Sequence, residues 1–123
     1  MNALTRHRIL FVDDEPQWRD AASTSLAQAG FDVLTAADGS EAMRKAAAGP
    51  LALMIVDEDL AGEKGTMLAR FLRYNHPGVP TILHTTAEHD ADATLDLMSQ
   101  TADQCLPKGS MEELIVNVGC FVR

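Results

Sequence analysis

The sequence has few of the residues that build disulfide scaffolds, basic surfaces or aromatic clusters. It contains two cysteines, one tryptophan and one tyrosine among 123 residues, and its 18 acidic side chains outnumber 10 basic ones. Cys105 and Cys120 lack the paired spacing of redox or metal motifs, so we expect both to be reduced and buried. A formal charge of −8 without a run of Lys or Arg argues against direct binding to nucleic acid or to a membrane.

Long hydrophobic segments are also missing. The first apolar stretch, Ile9–Val12, is too short for the core of a signal peptide or for a membrane span, so we expect a cytoplasmic protein. The length leaves room for one domain, and an apolar content of 46% is enough to fill one core at this size. We therefore expect a single domain over residues 1–123.

Five short apolar segments alternate with helix-like segments. This alternation predicts an α/β fold, a doubly wound parallel sheet of five strands with helices on both faces. The first and third segments are apolar on consecutive residues, which is typical of central strands, whereas the second mixes polar and apolar residues and suits an edge. The predicted strands are Ile9–Val12, Phe31–Ala36, Leu51–Val56, Thr81–His84 and Gln104–Leu106.

Five helices are expected between and after these strands. Pro16 suits a first helical turn, and Gly30 ends the first helix. In the third helix, the spacing predicts that Met67 and Phe71 face the core. The second and third helices are expected over Ser40–Ala48 and Thr66–Tyr74. The fourth is expected to begin at Asp90 or Asp92, and the fifth at Ser110, which forms a capping box with Glu113.

Acidic residues directly follow the two predicted central strands. Asp13 and Asp14 follow the first strand and Asp57 follows the third, and in the strand order 2-1-3-4-5 these strands are neighbours. Carboxylates so close together raise at least one pKa unless a cation neutralises them, and Mg²⁺ is the natural cation for two carboxylates and a phosphate. Lys108 follows the fifth strand, from which its ammonium group can reach a phosphate oxygen in the same crevice. Helix capping and solvated loops remain the alternative roles for single acids here.

Several short motifs occur in a fixed order along the chain. They are Val12–Pro16, Gly30–Val33, Ala37–Ala42, Val56–Asp57 with Gly65 beyond it, Pro80–Thr85 and Lys108. Together they resemble the receiver domain of two-component response regulators over essentially the whole chain. The resemblance implies a flavodoxin-like fold, similar to chemotaxis regulators, and a phosphoryl-accepting switch rather than a turnover enzyme.

The resemblance also implies roles for individual residues. Asp57 would accept the phosphoryl group, and Asp14 would bind Mg²⁺ directly. Asp13 would help to hold the ion through water, and the backbone carbonyl of Asp59 would complete the protein's share of the coordination. Lys108 would neutralise phosphoryl charge, as the chemistry of a carboxylate attacking phosphorus requires.

One hydroxyl group should contact the phosphoryl group, and two threonines compete for this role. Counting from Pro80 favours Thr85, whereas Thr86 with Ala87 imitates a dipeptide common in the family. Cys105 stands where many family members have Tyr or Phe, so we expect the readout that couples an aromatic ring to this hydroxyl to be altered or absent.

The implied partners are a sensor histidine kinase or phosphotransfer protein and a downstream protein target or output domain. The downstream partner would bind the face that the fourth helix, the fifth strand and the fifth helix form. The same face could also support a homodimer. No output domain is expected within residues 1–123, so the protein works through other proteins or is part of a longer regulator. Two other functions stay open: a docking module without phosphotransfer, and a phosphatase of the haloacid-dehalogenase type, which Asp57 and Asp59 after an apolar strand resemble.

Overall fold

The predicted sheet is present in the computed structural model, which describes residues 7–60, 62–85 and 102–122. The strands are β1 (Arg8–Val12), β2 (Asp32–Ala36), β3 (Leu53–Asp57), β4 (Asp59–Leu60), β5 (Glu63–Lys64), β6 (Thr81–Thr85) and β7 (Gln104–Pro107). Five of them form a parallel sheet in the order β2-β1-β3-β6-β7, while β4 and β5 form a small antiparallel hairpin. The α/β fold class and the order 2-1-3-4-5 of the sheet strands are thus confirmed.

Both faces of the sheet are covered, as the consecutive apolar residues of β1 and β3 predict. Side chains alternate between the faces along a strand. Leu10 and Met54 therefore pack with residues of α2 (Gly39–Ala46) and α3 (Gly65–Asn75) on one face. On the other face, Phe11 packs with residues of α1 (Pro16–Gln28) and α4 (Met111–Phe121).

The helix boundaries follow the predicted signals within the described residues. Pro16 is the first residue of α1, and the Ser110 side chain accepts a 3.1 Å hydrogen bond from the Glu113 amide at the start of α4. Helix α4 is the fifth helix of the sequence prediction. The predicted fourth helix, from Asp90 or Asp92, lies outside the described residues. None of the described helices has the length and apolar character that a bilayer span requires.

Two expectations about burial were wrong. Met67 and Phe71 are 51% and 56% exposed, because the stripe of α3 that meets the sheet consists of Leu68, Ala69 and Leu72. Cys120 is exposed and Cys105 only half-buried, since Cys120 lies outside the buried stripe of α4 and β7 is an edge strand.

Candidate functional site

Charged side chains from three strands meet at the carboxyl edge of the sheet. Asp13 directly follows β1, Asp57 is the last residue of β3, and Lys108 directly follows β7. Because β1 and β3 are parallel neighbours with Val12 opposite Val56, the two aspartates lie side by side. Asp13 and Asp57 are buried, with exposed fractions of 0% and 2%. Two carboxylates without water around them need a positive charge close by.

Lys108 supplies part of that charge. Its Nζ lies 2.7 Å from Asp13 Oδ2 and 3.2 Å from Asp57 Oδ2, and its side chain is 2% exposed. Burial opposes the charge on Lys108, but the bonds to Asp13 and Asp57 outweigh burial and raise the pKa of the ammonium group. The ammonium group also lies 4.9 Å from the ring centroid of Trp18, so a cation–π contact supports it from below.

The backbone orients both buried carboxylates. The Glu15 amide donates to Asp13 Oδ1 over 3.0 Å, and the Asp59 amide donates to Asp57 Oδ1 over 3.1 Å. Each of these bonds occupies one carboxylate oxygen. The second oxygens, Oδ2 of Asp13 and of Asp57, are the atoms nearest Lys108.

Burial raises the pKa of Asp57 to about 6, and the neighbouring charge of Asp13 adds to this effect, against the Asp59 amide and Lys108. At this carboxyl group, burial and the charge of Asp13 together outweigh the Asp59 amide and Lys108.

The carboxylates fit a hard divalent cation. Asp13, Asp14 and Asp57 each offer an oxygen, and these oxygens lie within 4.8 Å of one another. Asp13 Oδ2 is buried, and the ammonium group of Lys108 lies 2.7 Å from it. Three carboxylate oxygens beside one ammonium group leave a negative site with the ligand type that Mg²⁺ prefers.

The loop after Asp57 contacts the end of β6. Thr85, the last residue of β6, is buried, and its hydroxyl donates a 2.7 Å hydrogen bond to Oε1 of Glu58. The Glu58 amide in turn donates to the carbonyl oxygen of His84 over 2.8 Å. His84 is a buried histidine whose ring lies edge-on to Trp18, and burial lowers its pKa to about 4, with the charge of Lys108 adding to the effect.

The structure thus brings together four of the residues that the sequence pointed to, which are Asp13, Asp14, Asp57 and Lys108. Asp59 is exposed and contributes its amide to Asp57, while Thr86 lies outside the described residues. Sequence reasoning gave no role to Glu58 or to Trp18 beneath Lys108. The position of Glu58 directly after Asp57 was the one feature of the sequence that could have pointed to a role for Glu58 in the site.

Residues 9–118 match the family of the response regulator receiver domain. The chain belongs to this family. Receiver domains are the phosphoryl-accepting switches of two-component systems, so the predicted class of function is confirmed.

The receiver domain is similar to curated regulators about twice its length. It is 31% identical to the DNA-binding response regulator MtrA of Mycolicibacterium smegmatis over 118 residues, which are 96% of this chain and 51% of MtrA. It is 29% identical to the probable transcriptional regulatory protein TcrX of Mycobacterium tuberculosis, covering 94% of this chain and 49% of TcrX. The chain therefore spans about half the length of the curated relatives it matches.

Solved receiver structures have the same fold. The response regulator TrrA of Thermotoga maritima, in complex with Mg²⁺ and BeF, is 32% identical with a TM-score of 0.83, and the match covers 94% of this chain and 99% of TrrA. The chemotaxis protein CheY4 of Vibrio cholerae is 26% identical with a TM-score of 0.88, covering 96% of this chain and all of CheY4 (100%).

Proposed function

We propose that Asp57 accepts a phosphoryl group from the phosphohistidine of a sensor histidine kinase or phosphotransfer protein. The observation that carries this proposal is the burial of the Asp57 carboxylate at the sheet edge, 3.2 Å from Lys108. An Asp57 oxygen would attack phosphorus, and the phosphorus–nitrogen bond would break. The imidazole nitrogen keeps that electron pair, and Asp57 becomes an acyl phosphate.

The other carboxylates of the site would hold Mg²⁺. Asp14 would bind it directly, Asp13 through water, and Asp57 and the backbone carbonyl of Asp59 would complete the set. The bound ion would neutralise charge on the phosphoryl oxygens. Lys108 would add to this neutralisation, because its ammonium group lies 2.7 Å from Asp13 Oδ2 and 3.2 Å from Asp57 Oδ2.

The signal would leave through Thr85, with Thr86 as the alternative. Thr85 is supported by its place at the carboxyl end of β6 and by its carbonyl oxygen, which accepts a 2.6 Å bond from the Lys108 amide.

The described half of the proposed output face is β7 and α4, where Val116 is 68% exposed. We propose that a cytoplasmic target protein, an output domain or a second copy docks there. We also propose that residues 1–123 form one receiver domain.

Acetyl phosphate with Mg²⁺ tests the proposal. We expect one phosphoryl group per chain by intact-mass measurement, no label in Asp57→Asn, and full label in Asp32→Asn. Asp32 is a matched control because it begins β2 at the opposite edge of the sheet and its side chain is 56% exposed. Label that survives in Asp57→Asn would place the acceptor elsewhere. Absence of both label and Mg²⁺ binding would favour a docking module, and multiple turnovers of a phosphate ester would favour a phosphatase.

A further inference from the structure

We infer that Glu58 is a positioning residue, which holds the Thr85 hydroxyl in the unphosphorylated protein and competes with the phosphoryl group for it. The inference rests on the proposed function of Asp57 and Thr85. Its basis is the 2.7 Å hydrogen bond from Thr85 Oγ1 to Glu58 Oε1. This bond joins the residue directly after the proposed phosphoryl acceptor to the hydroxyl proposed to contact the phosphoryl group.

Both residues are held by their backbones, so the contact does not depend on two flexible side chains meeting by chance. The Glu58 amide donates to the His84 carbonyl oxygen, and its own carbonyl oxygen accepts from the Gly65 amide, each over 2.8 Å. The Thr85 carbonyl oxygen accepts from the Lys108 amide over 2.6 Å. The Thr85 side chain is buried and Glu58 is half-buried, so water screens their charge-assisted bond only in part.

A threonine hydroxyl carries one hydrogen and donates one strong hydrogen bond. Thr85 therefore cannot donate to Glu58 and to a phosphoryl oxygen at the same time. Phosphorylation of Asp57 has to break the contact with Glu58 before Thr85 can turn to the phosphoryl group. The released Glu58 carboxylate would then face a second negative group nearby, and the two like charges repel.

Glu58 also lies near the proposed output strand. After burial, the charge of Glu58 is the second cause that raises the pKa of the Cys105 thiol on β7. Movement of the Glu58 carboxylate on phosphorylation would therefore change the electrostatic field at β7. In this chain, such a change could carry the signal that many receiver domains pass through an aromatic residue at the position of Cys105.

Titration with beryllofluoride and Mg²⁺ measures the competition. Because a hydrogen bond to a charged group is worth about one to two powers of ten in an equilibrium, we expect Glu58→Ala to bind about tenfold more tightly than wild type. Glu58→Gln, which keeps an acceptor but removes the charge, should gain less. Asp32→Asn removes one acidic charge far from the site and should stay within about twofold of wild type.

The effect of the hydrogen bond is separated from general charge effects by repeating the titration in proteins that carry Thr85→Val. In Thr85→Val the hydroxyl is absent, so most of the gain from Glu58→Ala should disappear. An equal gain with and without the hydroxyl would overturn the inference. So would unchanged or weaker binding by Glu58→Ala in the presence of Thr85.

The contact itself is measured without any ligand. NMR measures the exchange of the Thr85 hydroxyl proton with water, which should be slower in wild type and Asp32→Asn than in Glu58→Ala. An unchanged exchange rate in Glu58→Ala would show that Glu58 does not hold the Thr85 hydroxyl. Failure of every protein, wild type included, to bind beryllofluoride would overturn the proposed function and the competition with it, whereas the exchange rates decide separately whether Glu58 holds Thr85.

Discussion

Gly65 lies so close to Asp57 that a methyl group at Gly65 would overlap the backbone carbonyl oxygen of Asp57. Helix α3 begins at this glycine, and the Gly65 amide bonds to the carbonyl oxygen of Glu58, the next residue after Asp57. The start of α3 therefore packs directly on the backbone of the proposed phosphoryl acceptor. The absence of a side chain at residue 65 makes this approach sterically allowed.

Gly65→Ala should therefore destabilise the protein by about 3 kcal/mol or more, since backbone atoms cannot yield as a flexible side chain can. Gly119→Ala is the matched control, because Gly119 lies within α4 and a methyl group there meets no atom within 4 Å. It should stabilise the protein by about 0.5–1 kcal/mol. Urea unfolding measures both, and equal effects of the two changes would contradict the steric argument.

Asp57→Asn should stabilise the protein in the absence of Mg²⁺. The pKa of Asp57 is raised from 3.8 to about 6, so the folded state binds the proton more tightly than the unfolded state does. Stability is therefore lost as the pH rises from about 4 to about 6, and at pH 7 the ionised carboxylate carries the whole penalty. Removing the charge should recover about 1–3 kcal/mol at pH 7, a figure that already includes the opposing attraction of Lys108.

Urea unfolding at pH 7 with a chelator measures this gain. With Mg²⁺ added, wild type should gain stability and Asp57→Asn should gain little, because the variant has lost a ligand. A variant less stable than wild type under chelation would mean that the Lys108 pair outweighs the cost of burying Asp57.

Lys108→Ala should destabilise the metal-free protein by about 3–5 kcal/mol, because it leaves the carboxylates of Asp13 and Asp57 buried without a positive partner. Mg²⁺ should restore more stability to this variant than to wild type, since the ion replaces the missing charge. Arg70→Ala removes an exposed cation from α3 and should change the free energy of unfolding by less than about 0.5 kcal/mol. Thermal unfolding with and without Mg²⁺ checks the difference.

His84 should make the protein sensitive to acid. Burial and the charge of Lys108 lower the pKa of His84 from 6.5 to about 4, so the unfolded state takes up a proton first as the pH falls. Stability from this source is complete above about pH 6.5 and lost progressively towards pH 4, by about 2–3 kcal/mol in all.

His84→Phe, which keeps an aromatic ring beside Trp18, should remove this loss. Asp57 changes stability in the opposite direction over an overlapping pH range. The proteins to compare are therefore Asp57→Asn with His84 and Asp57→Asn with His84→Phe. Unfolding free energies measured from pH 4 to pH 7 should then be flatter for the variant with Phe. Parallel curves for the two proteins would show that His84 does not titrate on unfolding.

Much of the site could be predicted because the strands are parallel. Consecutive apolar residues identified β1 and β3 as central, and parallel strands end at one edge of the sheet. Asp13, Asp57 and Lys108 therefore had to approach one another once each was placed at a strand end. The roles assigned to these residues stay predictions, but their meeting follows from the direction, the length and the order of the strands.

Other features depend on surfaces that come from distant parts of the chain. The helical spacing of Met67 and Phe71 fits a buried stripe, but the sheet covers only the part of α3 that bears Leu68 and Leu72. Periodicity gives the direction of a side chain around its helix and not the width of the surface that covers it.

The sequence by itself determined the order of strands and helices, the two central strands and the acidic edge, since local patterns and strand direction are sufficient for these. Only the tertiary structure decided that Glu58 meets the Thr85 hydroxyl and that Trp18 lies beneath Lys108. These contacts join residues far apart in the chain, and each depends on the path of a loop and a side-chain rotamer that no local pattern encodes.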